Sequence, residues 1–61
     1  MIPRLVQTVK ASPGMWYAYW VGEEYVVMDL CGDYYLVYTY DGYNRCIPSL
    51  ILIEDCKIIE R

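Results

Sequence analysis

The chain has no histidine and no phenylalanine, five basic residues, four glycines, three prolines and three cysteines. Each shortage excludes something. Without histidine the usual proton carrier near neutral pH is missing. Ser12, Ser49 and the cysteines therefore have no imidazole to activate them as nucleophiles. The basic residues Arg4, Lys10, Arg45, Lys57 and Arg61 are scattered along the chain. Binding driven by phosphate contacts needs them clustered. Cys31, Cys46 and Cys56 are odd in number and have no Cys-x-x-Cys spacing. That is the pattern of free thiols in a reducing compartment rather than of a disulfide framework or a zinc knuckle. No glycine-rich phosphate loop is present. Carboxylates adjoin at Glu23-Glu24 and Glu54-Asp55, but neighbours on a strand point to opposite faces and do not converge on one substrate. The uncharged run Cys46 to Ile53 is too short to span a bilayer and contains a proline. No charged-then-apolar leader opens the chain. The expectation is a cytoplasmic, non-enzymatic protein with no cofactor, no metal and no membrane span.

What is present is apolar and aromatic. Apolar types make up 57% of the 61 residues, and the aromatic 16% is entirely Tyr and Trp. A chain this short is one domain near the lower limit for folding unaided, and it depends on a dense core or a partner. Tyr and Trp combine a large apolar body with a polar tip, which suits half-buried faces and interfaces. The net charge of −3 comes from acidic residues spread along the chain. An acidic surface suits a basic protein partner, or serves solubility alone.

The organising stretch is Tyr25 to Pro48, which reads as two hairpins run together. Tyr25–Leu30 is a strand, Cys31-Gly32-Asp33 a tight turn and Tyr34–Tyr40 a second strand. Asp41-Gly42 opens a loop of three to five residues before a short strand from Asn44 or Arg45 to Ile47. Upstream, the alternation of Leu5, Gln7 and Val9 with Val6, Thr8 and Lys10 predicts a strand over about Arg4–Lys10, with Pro3 at its start. Ser12-Pro13-Gly14 breaks it. Met15–Gly22 follows; if extended, Trp16, Ala18 and Trp20 share one face and Tyr17 and Tyr19 the other. This segment either caps an open end of the core or forms an aromatic binding surface. Downstream, Pro48-Ser49-Leu50 reads as one tight helical turn, and Ile51 to Ile59 as a last strand interrupted at Glu54-Asp55. Glu60 and Arg61 should fray. In the central strand, Tyr34, Leu36, Tyr38 and Tyr40 alternate with Tyr35, Val37 and Thr39. One set meets the core, and a tyrosine-rich strip is expected outside. Five short strands with turns between them and no helix of useful length indicate a small all-β barrel.

The layout resembles a Src-homology-3-like (SH3-like) barrel. The likeness rests on the excursion Ser12 to Glu24 after the first strand and on Val21–Val27, VGEEYVV, similar to the Gly-x-x-Tyr-x-Val opening of the second strand in many such domains. It rests also on the hairpin pair followed by Ile47-Pro48-Ser49-Leu50, similar to the turn before their last strand. The resemblance implies a five-stranded SH3-like barrel over residues 1–61, with one short 3-10 turn before the last strand. Small stand-alone proteins encoded by phages and prophages of Gram-positive bacteria, YorP-like proteins among them, look similar. The chain lacks the Ala-Leu-Tyr-Asp-Tyr stretch of eukaryotic peptide-binding SH3 domains, and Tyr34-Tyr35 stands where their Trp-Trp pair would be.

The expected function is a protein-interaction module, in this resemblance a phage factor that binds and modulates a host protein. Its surface would be Trp16, Tyr17, Tyr19 and Trp20, rimmed by Glu23 and Glu24, together with Tyr34, Tyr38 and Tyr40. The alternatives are a single-stranded nucleic-acid binder that stacks bases on these rings, and a homo-oligomer whose aromatic strip pairs with itself.

Overall fold

The computed structural model describes residues 2–40 and 42–59. The chain is all-β, with five antiparallel strands in one sheet and no α-helix among the described residues. The strands are β1 (Leu5–Thr8), β2 (Glu24–Cys31), β3 (Tyr34–Tyr40), β4 (Cys46–Leu52) and β5 (Cys56–Ile58). Their order across the sheet is β4-β3-β2-β1-β5, so β4 and β5 are its edges.

β2 holds the sheet together by changing partners. Its first residues pair with β1 (Leu5↔Val26, Val6↔Tyr25, Gln7↔Glu24). From Val27 onward it pairs with β3 (Val27↔Val37 to Cys31↔Tyr34). The register slips between Val27 and Asp29, so Met28 is the extra residue of a bulge. On the N-terminal side of Val27 the two strands part, and Tyr38–Tyr40 of β3 pair only with β4. The sheet is therefore forked at this end. At the other end β2 and β3 are joined by Gly32-Asp33, with Gly32 at φ 60°. Glycine at the first central position, with positive φ, is what a type II′ hairpin turn requires.

The core is small: Val6, Tyr17, Val27, Tyr35, Val37 and Ile51, with Thr8 and Asp55 as its buried polar members. Tyr35 and Val37 therefore place the odd-numbered face of β3 inward. Tyr34 and Leu36 are half-buried on the other face, and Tyr38 and Tyr40 are exposed there. The tyrosine strip lies outside.

Three sequence expectations change. The segment Met15–Gly22 is not extended: Trp16–Trp20 form a 3-10 turn. The amides of Met15 and Ala18 donate to the carbonyls of Ser12 and Met15, after Gly14 has turned the chain at φ 91°. Pro48-Ser49-Leu50 is not a helical turn either. It runs through the middle of β4, and the 3-10 turn before the last strand is Ile53–Asp55. Ile51 and Leu52 accordingly belong to β4 rather than to the last strand. The reason is β4's place at the edge, where a residue without an N–H is tolerated. Leu50 and Leu52, on the same alternation as Pro48, turn backbone groups to the excursion rather than to β3. The Trp16 indole donates to the Leu50 carbonyl (2.7 Å), and the Leu52 amide donates to the Tyr17 hydroxyl (3.4 Å). At Pro48 that side simply has no donor. Proline and the excursion together blunt an edge strand that carries no charge. β1, finally, is shorter than predicted: the Val9 amide still donates to the Asp55 carbonyl (2.8 Å), in register with the β1–β5 pairing, but Asp55 already belongs to the 3-10 turn and the strand pairing ends there. Asp41 of the expected Asp41-Gly42 turn and the Glu60-Arg61 end lie outside the described residues; five residues separate β3 from β4.

Candidate functional site: two aromatic clefts at the fork of the sheet

The excursion between β1 and β2 is pinned at its return and at its middle. Its return is fixed on Thr8: the Gly22 amide donates to the Thr8 carbonyl (2.8 Å), and Gln7 Nε2 donates to the Gly22 carbonyl (2.8 Å). Gly22 takes φ 105°, which a side chain rarely allows. Its middle is fixed by Tyr17, which is fully buried. The Tyr17 hydroxyl donates to Asp55 Oδ2 (2.5 Å) and accepts from the Leu52 amide. This contact joins the excursion to the 3-10 turn Ile53–Asp55 and satisfies a buried carboxyl.

Tyr17 therefore belongs to the core, and no partner reaches it. Burial, helped by the Asp55 hydrogen bond, pushes its phenol up to about 12 from an ordinary 10.0. The sign follows from linkage. Below pH 10 the phenol is protonated in both folded and unfolded chains, and its contribution to stability is complete. Between 10 and 12 only the unfolded chain ionises, so stability falls and the contribution is lost as pH passes about 12. An alkaline titration followed by circular dichroism should show unfolding in this window, and Tyr17→Phe should flatten the part of the slope due to this phenol.

The rings around Tyr17 build the site. Trp16 packs edge-on against Tyr17 (centroids 5.3 Å apart) and against Tyr25 (5.7 Å). With its indole held by Leu50, Trp16 is a fixed wall. Trp20 is 55% exposed; Tyr19, 89% exposed, leans edge-on against it at 6.3 Å. A cleft of about 350 Å³ lies among Trp16, Trp20, Glu23, Tyr25, Thr39 and Tyr40. The Tyr25 phenol is pushed up, by burial first and by the nearby Glu23 carboxylate second. The cleft thus joins aromatic faces to a negative charge.

A second cleft, of about 470 Å³, opens on the outer side of the same fork, among Glu24, Val26, Met28, Tyr38, Tyr40 and Cys46, with Tyr25 and Thr39 at its base. Tyr25, Thr39 and Tyr40 line both clefts. The alternation of a strand sends Glu23 to one cleft and Glu24 to the other, so this carboxylate pair does not converge. Glu54 and Asp55 are likewise apart, one exposed and one buried.

The expected surface residues separate accordingly. Trp16, Trp20 and Glu23 share the loop cleft, Tyr40 borders both clefts, and Glu24 and Tyr38 line the outer one. Tyr19 stands exposed beside Trp20, whereas Tyr34, opposite Leu52 at the far end of β3, lines neither cleft. Sequence reasoning missed Tyr25 and Thr39. Both lie on inward alternations, and only the fork exposes them to a cleft.

The cysteines differ in setting. Cys31 and Cys46 are exposed and Cys56 is half-buried, all as free thiols. Burial first, then Asp55, pushes the Cys56 thiol up to about 11. Thiolate is the reactive form. With a water-soluble disulfide reagent at neutral pH, Cys31 and Cys46 should label rapidly and Cys56 at least tenfold more slowly until the fold is disrupted, as peptide mass mapping would show. No family model, no curated protein and no solved structure matches this chain.

Proposed function

We propose that the chain is a small, non-enzymatic protein-interaction module of SH3-like barrel type, a phage-encoded factor that binds and modulates a host protein. The observation that carries the reading is the loop cleft. Trp16 and Tyr25 form its fixed walls, Trp20 and Tyr40 its exposed ones, and Glu23 its rim. Pre-organised Trp and Tyr side chains in a concave site are the usual anchors of binding energy. The carboxylate favours a partner with basic residues, because aromatic faces and a negative charge both attract cations. The strand order, with β1 between β2 and β5 and a 3-10 turn before β5, fits the SH3-like reading.

Affinity capture of the tagged protein from a bacterial lysate, with nuclease treatment and with Trp20→Ala in parallel, tests this function. A nuclease-resistant protein partner that depends on Trp20 is expected. Recovery of nucleic acid, with affinity falling steeply as salt is added, would transfer the function to single-stranded nucleic-acid binding.

A further inference from the structure

The outer face of the β2–β3–β4 meander is unusual for an antiparallel sheet, whose solvent side is normally polar. Residues directly opposite each other share a face, so the ladder defines this one. Tyr34, Leu36, Tyr38 and Tyr40 lie beside Leu52, Leu50, Pro48 and Cys46 of β4, and Asp29 and Cys31 of β2 complete two of the rows. Val26 alternates out from the inward Val27, and Met28 at the bulge lines the outer cleft with Val26 and Tyr38. Val26, Met28, Tyr38, Tyr40 and Leu50 are all exposed. Glu24 and Asp29, both on β2, are the only charged residues among these outward positions.

We propose that this face seats the same face of a second copy of the chain. The placement of charge supports self-pairing and selects its geometry. A twofold axis running along β3, between the two sheets, lays β2 of each copy over β4 of the other. Each Asp29 then comes over the other copy's Leu50, since Asp29, Leu36 and Leu50 form one row. Each Glu24 comes over the other copy's Cys46, its neighbour in the outer cleft. Like charges stay on opposite flanks, and the apolar centres meet in an aligned sandwich. An axis across the strands would instead stack β2 on β2 and bring the carboxylates together. Burial of a second apolar face also gives a chain with six buried hydrophobic side chains among its described residues, and three free thiols, the additional core that small domains gain from oligomerisation. Trp16, Trp20 and Glu23 of the loop cleft lie outside this face, with Tyr40 at the border between cleft and pairing, so the dimer presents these three residues twice.

Sedimentation equilibrium on the purified protein under reducing conditions, across a wide concentration range, tests the pairing. The mass of two chains is expected, with Tyr38→Glu and Val26→Glu each shifting it to one chain while the circular dichroism spectrum is unchanged. Sign specificity tests the geometry. Leu50→Glu faces the partner copy's Asp29 and should dissociate the dimer, whereas Leu50→Lys meets the same carboxylate with opposite charge and should retain it. A single-chain mass for the unaltered protein at every concentration overturns the proposal. So does a dimer indifferent to both Tyr38→Glu and Val26→Glu, or one that Leu50→Glu and Leu50→Lys weaken equally.

Discussion

Tyr17→Ala should leave the chain largely unfolded. Stabilities of about 0.05–0.15 kcal/mol per residue give a 61-residue domain roughly 3–9 kcal/mol in all. Removal of a fully buried aromatic ring costs about 3–5 kcal/mol. Here the loss is compounded, because the ring also carries the hydroxyl that donates to Asp55 and accepts from Leu52. Each buried group left without its partner adds about 1–3 kcal/mol. The sum reaches most or all of the available stability. Tyr17→Phe separates the two parts: it keeps the packing, loses the hydroxyl, and should cost about 1–3 kcal/mol. Urea melts followed by circular dichroism measure both. A Tyr17→Ala variant within about 1 kcal/mol of the unaltered protein, below the usual cost of an emptied core site, would show that the excursion is not anchored through this ring.

Trp20→Ala should have the opposite profile, with folding almost unchanged and partner binding lost by a factor of about 30 or more, the scale of an interface hot spot of 2 kcal/mol or above. Its side chain is more than half exposed, and the hydrogen bonds at this position use its backbone carbonyl, which accepts from the Glu23 amide (3.1 Å) and from the Thr8 hydroxyl (3.3 Å). Alanine keeps these. What goes is one exposed wall of the loop cleft. Trp16→Ala is the less informative companion, since Trp16 packs on Tyr17 and Tyr25 and donates to Leu50; its loss would disturb fold and cleft together. Titration of the captured partner against both variants, with melts alongside, distinguishes them. Undiminished affinity in Trp20→Ala would remove the loop cleft as the binding surface.

The hairpin stretch was legible because its signals are local. Period-two alternation marked β3 to the residue, and Gly32 marked the turn before it. The same alternation separated Glu23 from Glu24. Two elements were misread for one reason. Pro48 reads as a strand terminator until it is known that β4 is an edge strand, and edge position depends on every other strand. Met15–Gly22 shows only an extended alternation in the sequence; Gly14 turns the chain before it, and the buried Tyr17 holds the 3-10 turn through contacts with Asp55 and Leu52, far along the chain.

The sequence by itself determined an all-β chain, the bounds of β3 with one tyrosine-rich alternation, and the absence of any imidazole. It determined as well that its aromatic residues are Tyr and Trp, able to face core and water at once. The tertiary structure alone decided which of them do which. Tyr17 is taken inward by Asp55, Tyr25 is brought to the surface by the fork where β2 leaves β3 for β1, and Trp16 is held as a wall by a carbonyl of the edge strand. Alternation is a property of neighbouring residues, and a sequence displays it directly. A cleft forms where strands part, and that depends on pairings between residues distant in the chain.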